Sequence, residues 1–394
     1  MKTHLKTIAF CTALIGFTSC NANTKKQPEL YAEHSVEREV ENKMNHEASN
    51  KQFIKVALLL DTSNSMDGLI DQAKAQLWDI VNELSYAKCG TNKPNLQIAL
   101  YEYGNDNLNA DKGYIKQVLA FSDDLDDISK ELFSLTTNGG EEYCGQVIQT
   151  SLSQLEWGKN PDDLKLIFIA GNEAFTQGKV NYQDASANAN EKDVTVNTIF
   201  CGNYRQGISS KWKAGAELTQ GDYMAIEQNT KTVHIASPYD DAILILNKKL
   251  NNTYVIYGVK GQRKMEMQAE QDKNAAGYSK ANAVSRSVSK SSHLYKNKSW
   301  DLVDADEMEE VIISDLKDDA LPTELKGKSA NEIKSYIEIK RKERTQIQNE
   351  IQQLNSKRKA YISKQKIEGE NGLENAMTNA IKAQAKKKNY SWNK

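Results

Sequence analysis

Phe53-Ile54-Lys55-Val56-Ala57-Leu58-Leu59-Leu60 runs straight into Asp61-Thr62-Ser63-Asn64-Ser65, and an amphipathic stretch from Met66 to Ala87 follows. The first eight residues are nearly all apolar, with no alternation. Such a run suits a strand buried on both faces, as in a parallel sheet covered by helices. The polar pentapeptide sits where that strand must turn into a helix. In an open α/β sheet, the carboxyl ends of the strands are where ligands bind. One carboxylate and two hydroxyls in five residues make a hard oxygen site suited to Mg²⁺, Mn²⁺ or Ca²⁺. The competing reading is a tight strand–helix turn in which Ser65 caps backbone N–H groups.

The same alternation continues downstream. Strand-like runs recur at Leu96–Tyr103, Tyr114–Phe121, Leu164–Ala170 and Val194–Phe200, with a short one at Tyr223–Ile226. Helical segments fall at Leu125–Leu135, Gln146–Leu155, Lys211–Leu218 and Asp240–Leu250. This order predicts a doubly wound, mainly parallel α/β sheet with helices on both faces over residues 51–256. Residues 257–322 are polar and mixed, and Trp300 and Val311-Ile312-Ile313 mark them as a segment that wraps the first domain. Residues 323–394 carry 17 Lys and Arg against 8 Glu, a net of +9. Ile333, Ile337, Ile347, Ile351, Leu354 and Tyr361 keep helical spacing, interrupted on the same seam by Lys340, Arg344 and Arg358. A second seam runs through Leu373, Met377, Ala380 and Gln384 beyond Gly369 and Gly372. The expectation is a C-terminal basic α-helical hairpin with a coiled-coil-like seam.

The whole chain of 394 residues is near neutral, with 51 Lys and Arg against 53 Asp and Glu. A generally basic nucleic-acid binder is therefore excluded. Residues 1–19 place Lys2 and Lys6 before the apolar run Ile8–Phe17 and small residues before Cys20. This reads as a bacterial lipoprotein signal, cut before Cys20, which then carries the lipid. Residues 20–50 read as a flexible tether. The expected location is the bacterial cell envelope, lipid-anchored, with the outer membrane preferred, facing the periplasm or the exterior. Without residues 1–19, the part up to residue 322 is net −13, opposite in sign to the C-terminal part.

At Asp61-Thr62-Ser63-Asn64-Ser65, in its strand–loop–helix setting, the sequence resembles the von Willebrand factor A family. Trp212-Lys-Ala-Gly-Ala-Glu-Leu-Thr-Gln-Gly-Asp-Tyr resembles the helix and turn before that family's last strand. The resemblance implies a doubly wound sheet with one antiparallel edge strand and a metal-ion-dependent adhesion site. Asp61, Ser63 and Ser65 would be its first three ligands. A Thr on a second loop would be the fourth, here Thr137 or Thr136 in Leu135-Thr-Thr-Asn-Gly-Gly-Glu-Glu142, unless Glu141 or Glu142 replaces it. The fifth position, usually Asp, falls on Asn172, with Glu173 beside it. The resemblance further implies a protein partner whose acidic side chain completes the metal.

Cys144 opens a helix and Cys201 ends a strand at the rim of the metal loop, whereas Cys89 lies at the other rim. Cys144–Cys201 is thus the expected pair if any disulfide forms. No nucleophile elbow, Walker loop or His-Glu-x-x-His motif occurs, so no enzyme is expected. A metal-dependent hydrolase using Asp61 is one alternative. An assembly protein acting through its C-terminal helices, with a degenerate metal site, is the other.

Overall fold

A computed structural model describes residues 51–227, 229, 235–365 and 373–392. The signal segment, Cys20, the 20–50 tether, Gly369 and Gly372 lie outside the described residues. The first strand, β1 (Phe53–Asp61), forms as its composition dictates, with every residue after Phe53 buried. It runs parallel to β3 (Asn95–Tyr103) on one side and to β5 (Leu164–Gly171) on the other. The sheet continues through β6 (Thr195–Cys201) to β7 (Tyr223–Ile226), both parallel. At the opposite edge, β4 (Ile115–Ser122) pairs antiparallel with β3, the one reversed strand of six. The spatial order is β4-β3-β1-β5-β6-β7.

Successive residues of β1 point to opposite faces of the sheet. Ile54, Val56, Leu58 and Leu60 join one core with α1 (Asp67–Leu84), α2 (Leu125–Ser134) and the C-terminal α12 (Leu373–Lys387). Ala57 and Leu59 face the other core, with α3 (Cys144–Gln154), α4 (Tyr182–Glu191) and α6 (Trp212–Glu217). Trp212 is fully buried there, edge-on to Phe175 and Phe200. Side-chain caps start several helices: Asp124 accepts from Asp126 N and Asp127 N at α2, and Asn203 from Arg205 N and Gln206 N at α5 (Tyr204–Ser209). Helix α1 has no such cap and is entered through a short 3-10 turn, Asn64–Met66.

Residues 257–322 are more ordered than a wrapping segment. They hold α8 (Gly261–Tyr278), α9 (Lys280–Lys290) and α10 (Leu302–Glu307). Helix α9 packs against α1, α8 and α7 (Asp240–Asn251), and all its residues from Ala281 to Lys290 are buried. Its buried face carries charge instead of carbon. Arg286 bonds Asp272 at 2.6 Å and Asp126 at 2.8 Å and stacks on Trp78, while Lys290 bonds Asp272 at 3.0 Å.

The C-terminal region is helical as expected, but its helices do not lie along each other as a hairpin. Helix α11 (Ala330–Ser363) packs on α7, α9 and α10. Helix α12 packs on α1 and over β5 and β7, and it leads to β8 (Tyr390–Trp392), which pairs antiparallel with β2 (Ala87–Cys89). The cations that break the α11 seam explain this. Arg344 is buried against Asp301 and Asp304, Arg358 bonds the buried Asp240, and Lys340 donates to Asn252 O. Residues 51–394 accordingly form one compact unit rather than a separate domain and hairpin. No helix among the described residues is long and apolar enough to cross a membrane.

Candidate functional site

Asp61 is the last residue of β1 and sits at the carboxyl end of the parallel strands. Its Oδ1 accepts from Ser63 N at 2.7 Å, which folds the loop back over the carboxylate. Ser63 Oγ lies 3.2 Å from Ser65 Oγ. From the neighbouring strand end, Asn172 Nδ2 donates to Ser65 Oγ at 3.1 Å. Asp61, Ser63, Ser65 and Asn172 are thus brought together, as the sequence predicts. Neither serine acts as a side-chain helix cap, which removes the capping explanation of the motif.

The second loop resolves differently from its first expectation. Thr137 Oγ1 donates to Asp67 Oδ1 at the start of α1, and Thr136 is exposed, its carbonyl accepting from Asn105 Nδ2 at 3.0 Å. Glu141 is exposed and accepts from Gln177 Nε2. Glu142 instead turns inward, is only 5% exposed, and its carboxyl hydrogen-bonds the side chains of Asp61 and Ser63. Glu173 stays at the exposed edge, where its carbonyl accepts from Trp212 Nε1.

Burial holds both Asp61 and Glu142 above the ordinary carboxylate range, and the Asp61 carboxyl raises Glu142 further. Two buried carboxyls this close are compatible only if a proton or a cation lies between them. Asp61 Oδ2 and Asn172 Oδ1 are buried acceptor atoms without a protein N–H or hydroxyl donor. Glycines shape the surroundings. A Cβ on Gly104 would meet Glu142 Cγ at 2.7 Å and Asp61 Oδ1 at 2.9 Å, and one on Gly171 would come within 3.0 Å of Asp61 Oδ2. Beneath the carboxylates, Tyr103 Oη donates to Ala170 O at 3.0 Å.

These donors fit a hard divalent cation: two carboxylates, two hydroxyls and an amide oxygen, cradled where no larger side chain fits. No group of three or more His, Cys, Asp or Glu side chains that could cage a metal occurs among the described residues. The set here has two acidic members, and its remaining donors are neutral oxygens.

Sequence reasoning missed Gly104 and Asn105. Asn105 Nδ2 reaches Thr62 O at 3.4 Å as well as Thr136 O, tying three loops together. The turn-rich stretch from Gly104 was the available signal. The expected Cys144–Cys201 pair is not formed. Both thiols are free and buried, and Cys144 Sγ lies 3.9 Å from Tyr103 Oη, where it packs as a small apolar group.

The von Willebrand factor type A domain profile matches residues 55–210. Among solved structures, BatB, a conserved hypothetical protein from Bacteroides thetaiotaomicron, is 15% identical. It covers 44% of this chain and 90% of its own, with a TM-score of 0.34. The SpRpn10 VWA domain is 16% identical, covering 45% and 90%, with a TM-score of 0.34. Proximal thread matrix protein 1 from the mussel byssus is 14% identical, covering 44% of this chain, with a TM-score of 0.33; the match spans 41% of that protein's length. No curated protein matches the sequence. With the metal-loop motif at the end of β1, one antiparallel edge strand and helices on both faces, residues 55–210 form a von Willebrand factor type A domain.

Proposed function

We propose that this chain is a protein-binding module of the bacterial cell envelope that works through a divalent cation held by Asp61, Ser63, Ser65, Asn172 and Glu142. The observation that carries the reading is the buried pairing of Asp61 with Glu142 beside Ser63. Asn172 brings no charge where the family usually has Asp, and Glu142 restores it. Two carboxylates then balance a cation of charge two. Mg²⁺ or Mn²⁺ suits the donors, and Ca²⁺ is the third choice. The cation would supply a Lewis-acidic position facing the exposed Ser65 edge, where a group from the partner, by resemblance a carboxylate, would complete it. Anchoring through a lipid on Cys20 belongs to the same reading and rests on the signal segment. We assign no turnover to the site.

Melting of the full chain in detergent, with Mg²⁺, Mn²⁺ or chelator, tests the cation. At a hundredfold excess over Kd, a bound ion adds about 2.7 kcal/mol, a rise in Tm of about 5 °C. Asp61→Ala and Glu142→Gln should each abolish that rise. A rise that persists in both variants, or no rise in the parent chain, would remove the cation from this loop. Mass spectrometry of a palmitate-labelled chain against Cys20→Ala tests the anchor.

A further inference from the structure

Four loops surround Asp61: residues 61–67, 104–112, 136–142 and 172–180. Together they carry Asp61, Asp67, Asp106, Asp111, Glu141, Glu142 and Glu173 against Lys112 and Lys179, a net of −5. Asp67, Asp106, Asp111, Glu141 and Glu173 are exposed, and none forms an ion pair with another described residue. This differs from the rest of the unit. Asp124 and Asp127 share Lys264, Asp240 meets Arg358, and Asp301 and Asp304 enclose Arg344. The next loop out, 202–211, carries Arg205 and Lys211 and no acid, so the negative charge is centred on the metal loop. At that centre, the fully buried Asp61 leaves Oδ2 without an N–H or hydroxyl donor.

A divalent cation in the loop would lower the net charge of the rim only from −5 to −3. An approaching acidic surface would still be repelled, whereas a basic one would be steered in. We propose that the partner meets this rim with a face rich in Lys and Arg, whatever single group completes the cation. The inference rests on reading this rim as the contact surface, but its attraction does not need the cation to be present.

The test uses the full chain in detergent and two labelled probes, oligolysine and oligoglutamate, followed by fluorescence anisotropy at low and high salt, with Mg²⁺ or chelator. The rim variant is Asp106→Asn/Asp111→Asn/Glu141→Gln/Glu173→Gln, all exposed positions outside the cation ligands. The control neutralises Asp315, Asp319 and Glu324, which are exposed elsewhere. The proposal expects oligolysine to bind, weaken with salt, and bind the rim variant at least about tenfold more weakly, with the control unchanged. Oligolysine binding to a chain that shows no cation-induced rise in melting temperature supports the proposal while removing the cation reading. Three results overturn it: cation-dependent binding of oligoglutamate, equal loss of oligolysine in the rim and control variants, or no binding of oligolysine to a chain whose cation-induced rise is intact.

Discussion

Replacing Arg344 by Met should destabilise the protein by about 3–5 kcal/mol. The guanidinium reaches Asp301 at 2.6 and 3.1 Å, Asp304 at 3.0 Å, Thr253 Oγ1 at 3.0 Å and Thr253 O at 2.8 Å. Its plane also lies over the Tyr254 ring. The three charged side chains are at most 6% exposed. Asp301 would keep two donors, Val255 N at 2.6 Å and Asp304 N at 3.1 Å. Asp304 would keep Asn297 N at 2.7 Å and the distant Lys296 at 3.8 Å. Burial and Asp301 already push Asp304 upward, and Arg344 is the main opposing charge. Without it Asp304 must take up a proton, so the cost stays well below that of two bare buried charges. Arg344→Lys keeps the charge but loses the planar fork and should fall between the parent and Arg344→Met. The assay is urea unfolding followed by circular dichroism at pH 7. Arg344→Met/Asp301→Asn/Asp304→Asn should recover at least half of the loss, because no stranded charge remains. A loss below about 1 kcal/mol in Arg344→Met, or no recovery in the triple variant, would refute the view that this network joins α11 to the domain.

His293 has a buried Nε2 without a partner, and burial, with Lys93 beside it, lowers its pKa to about 4. The unfolded chain then binds the proton more readily, so stability is complete above about pH 6.5 and falls towards pH 4. The span corresponds to about 3 kcal/mol, and His293→Asn should flatten that part of the stability–pH curve. Gly104 has φ +77°, and a Cβ there would crowd both Glu142 and Asp61. Gly104→Ala should cost about 1–3 kcal/mol in the cation-free protein and also remove its cation-induced rise in Tm, both read from melting curves. Ile381 is fully buried in the core between α12 and α1. Ile381→Ala should cost about 2–5 kcal/mol in urea unfolding, and a loss near zero would mean that α12 is not docked in solution.

The central strand and its metal loop were legible because both are local. Eight consecutive residues of β1 are buried, and Asp61, Ser63 and Ser65 follow within one turn of chain. Glu142 was not separable from Thr136, Thr137 and Glu141, since its inward turn depends on contacts the sequence does not display. The second loop is held by Asn138 N to Thr62 O, by Asp106 N to Gly139 O and by Asn105 to Thr136 O. Helices α8 and α9 were hidden for another reason. Periodicity finds apolar faces, whereas α9 buries Arg286, Lys290, Asn282 and four serines from Ser285 to Ser291, with acids from α2 and α8 as partners. The same principle turned the broken seam of α11 into a docking surface. The strands β2 and β8 are three residues each and become strands only by pairing with each other.

The position of β1 also sets how the unit would respond to pulling. The described chain enters at Lys51, on the pole opposite Ser63 and Ser65, and β1 spans the roughly 26 Å between them. A force applied between the N-terminal side and a partner seated on the metal loop therefore runs lengthwise along this one strand. Its parallel bonds to β3 and β5 would be loaded together in shear. The weaker elements, β8 on β2 and helix α12, lie off that line. Grip at the loop and mechanical resistance would thus reside in the same nine residues.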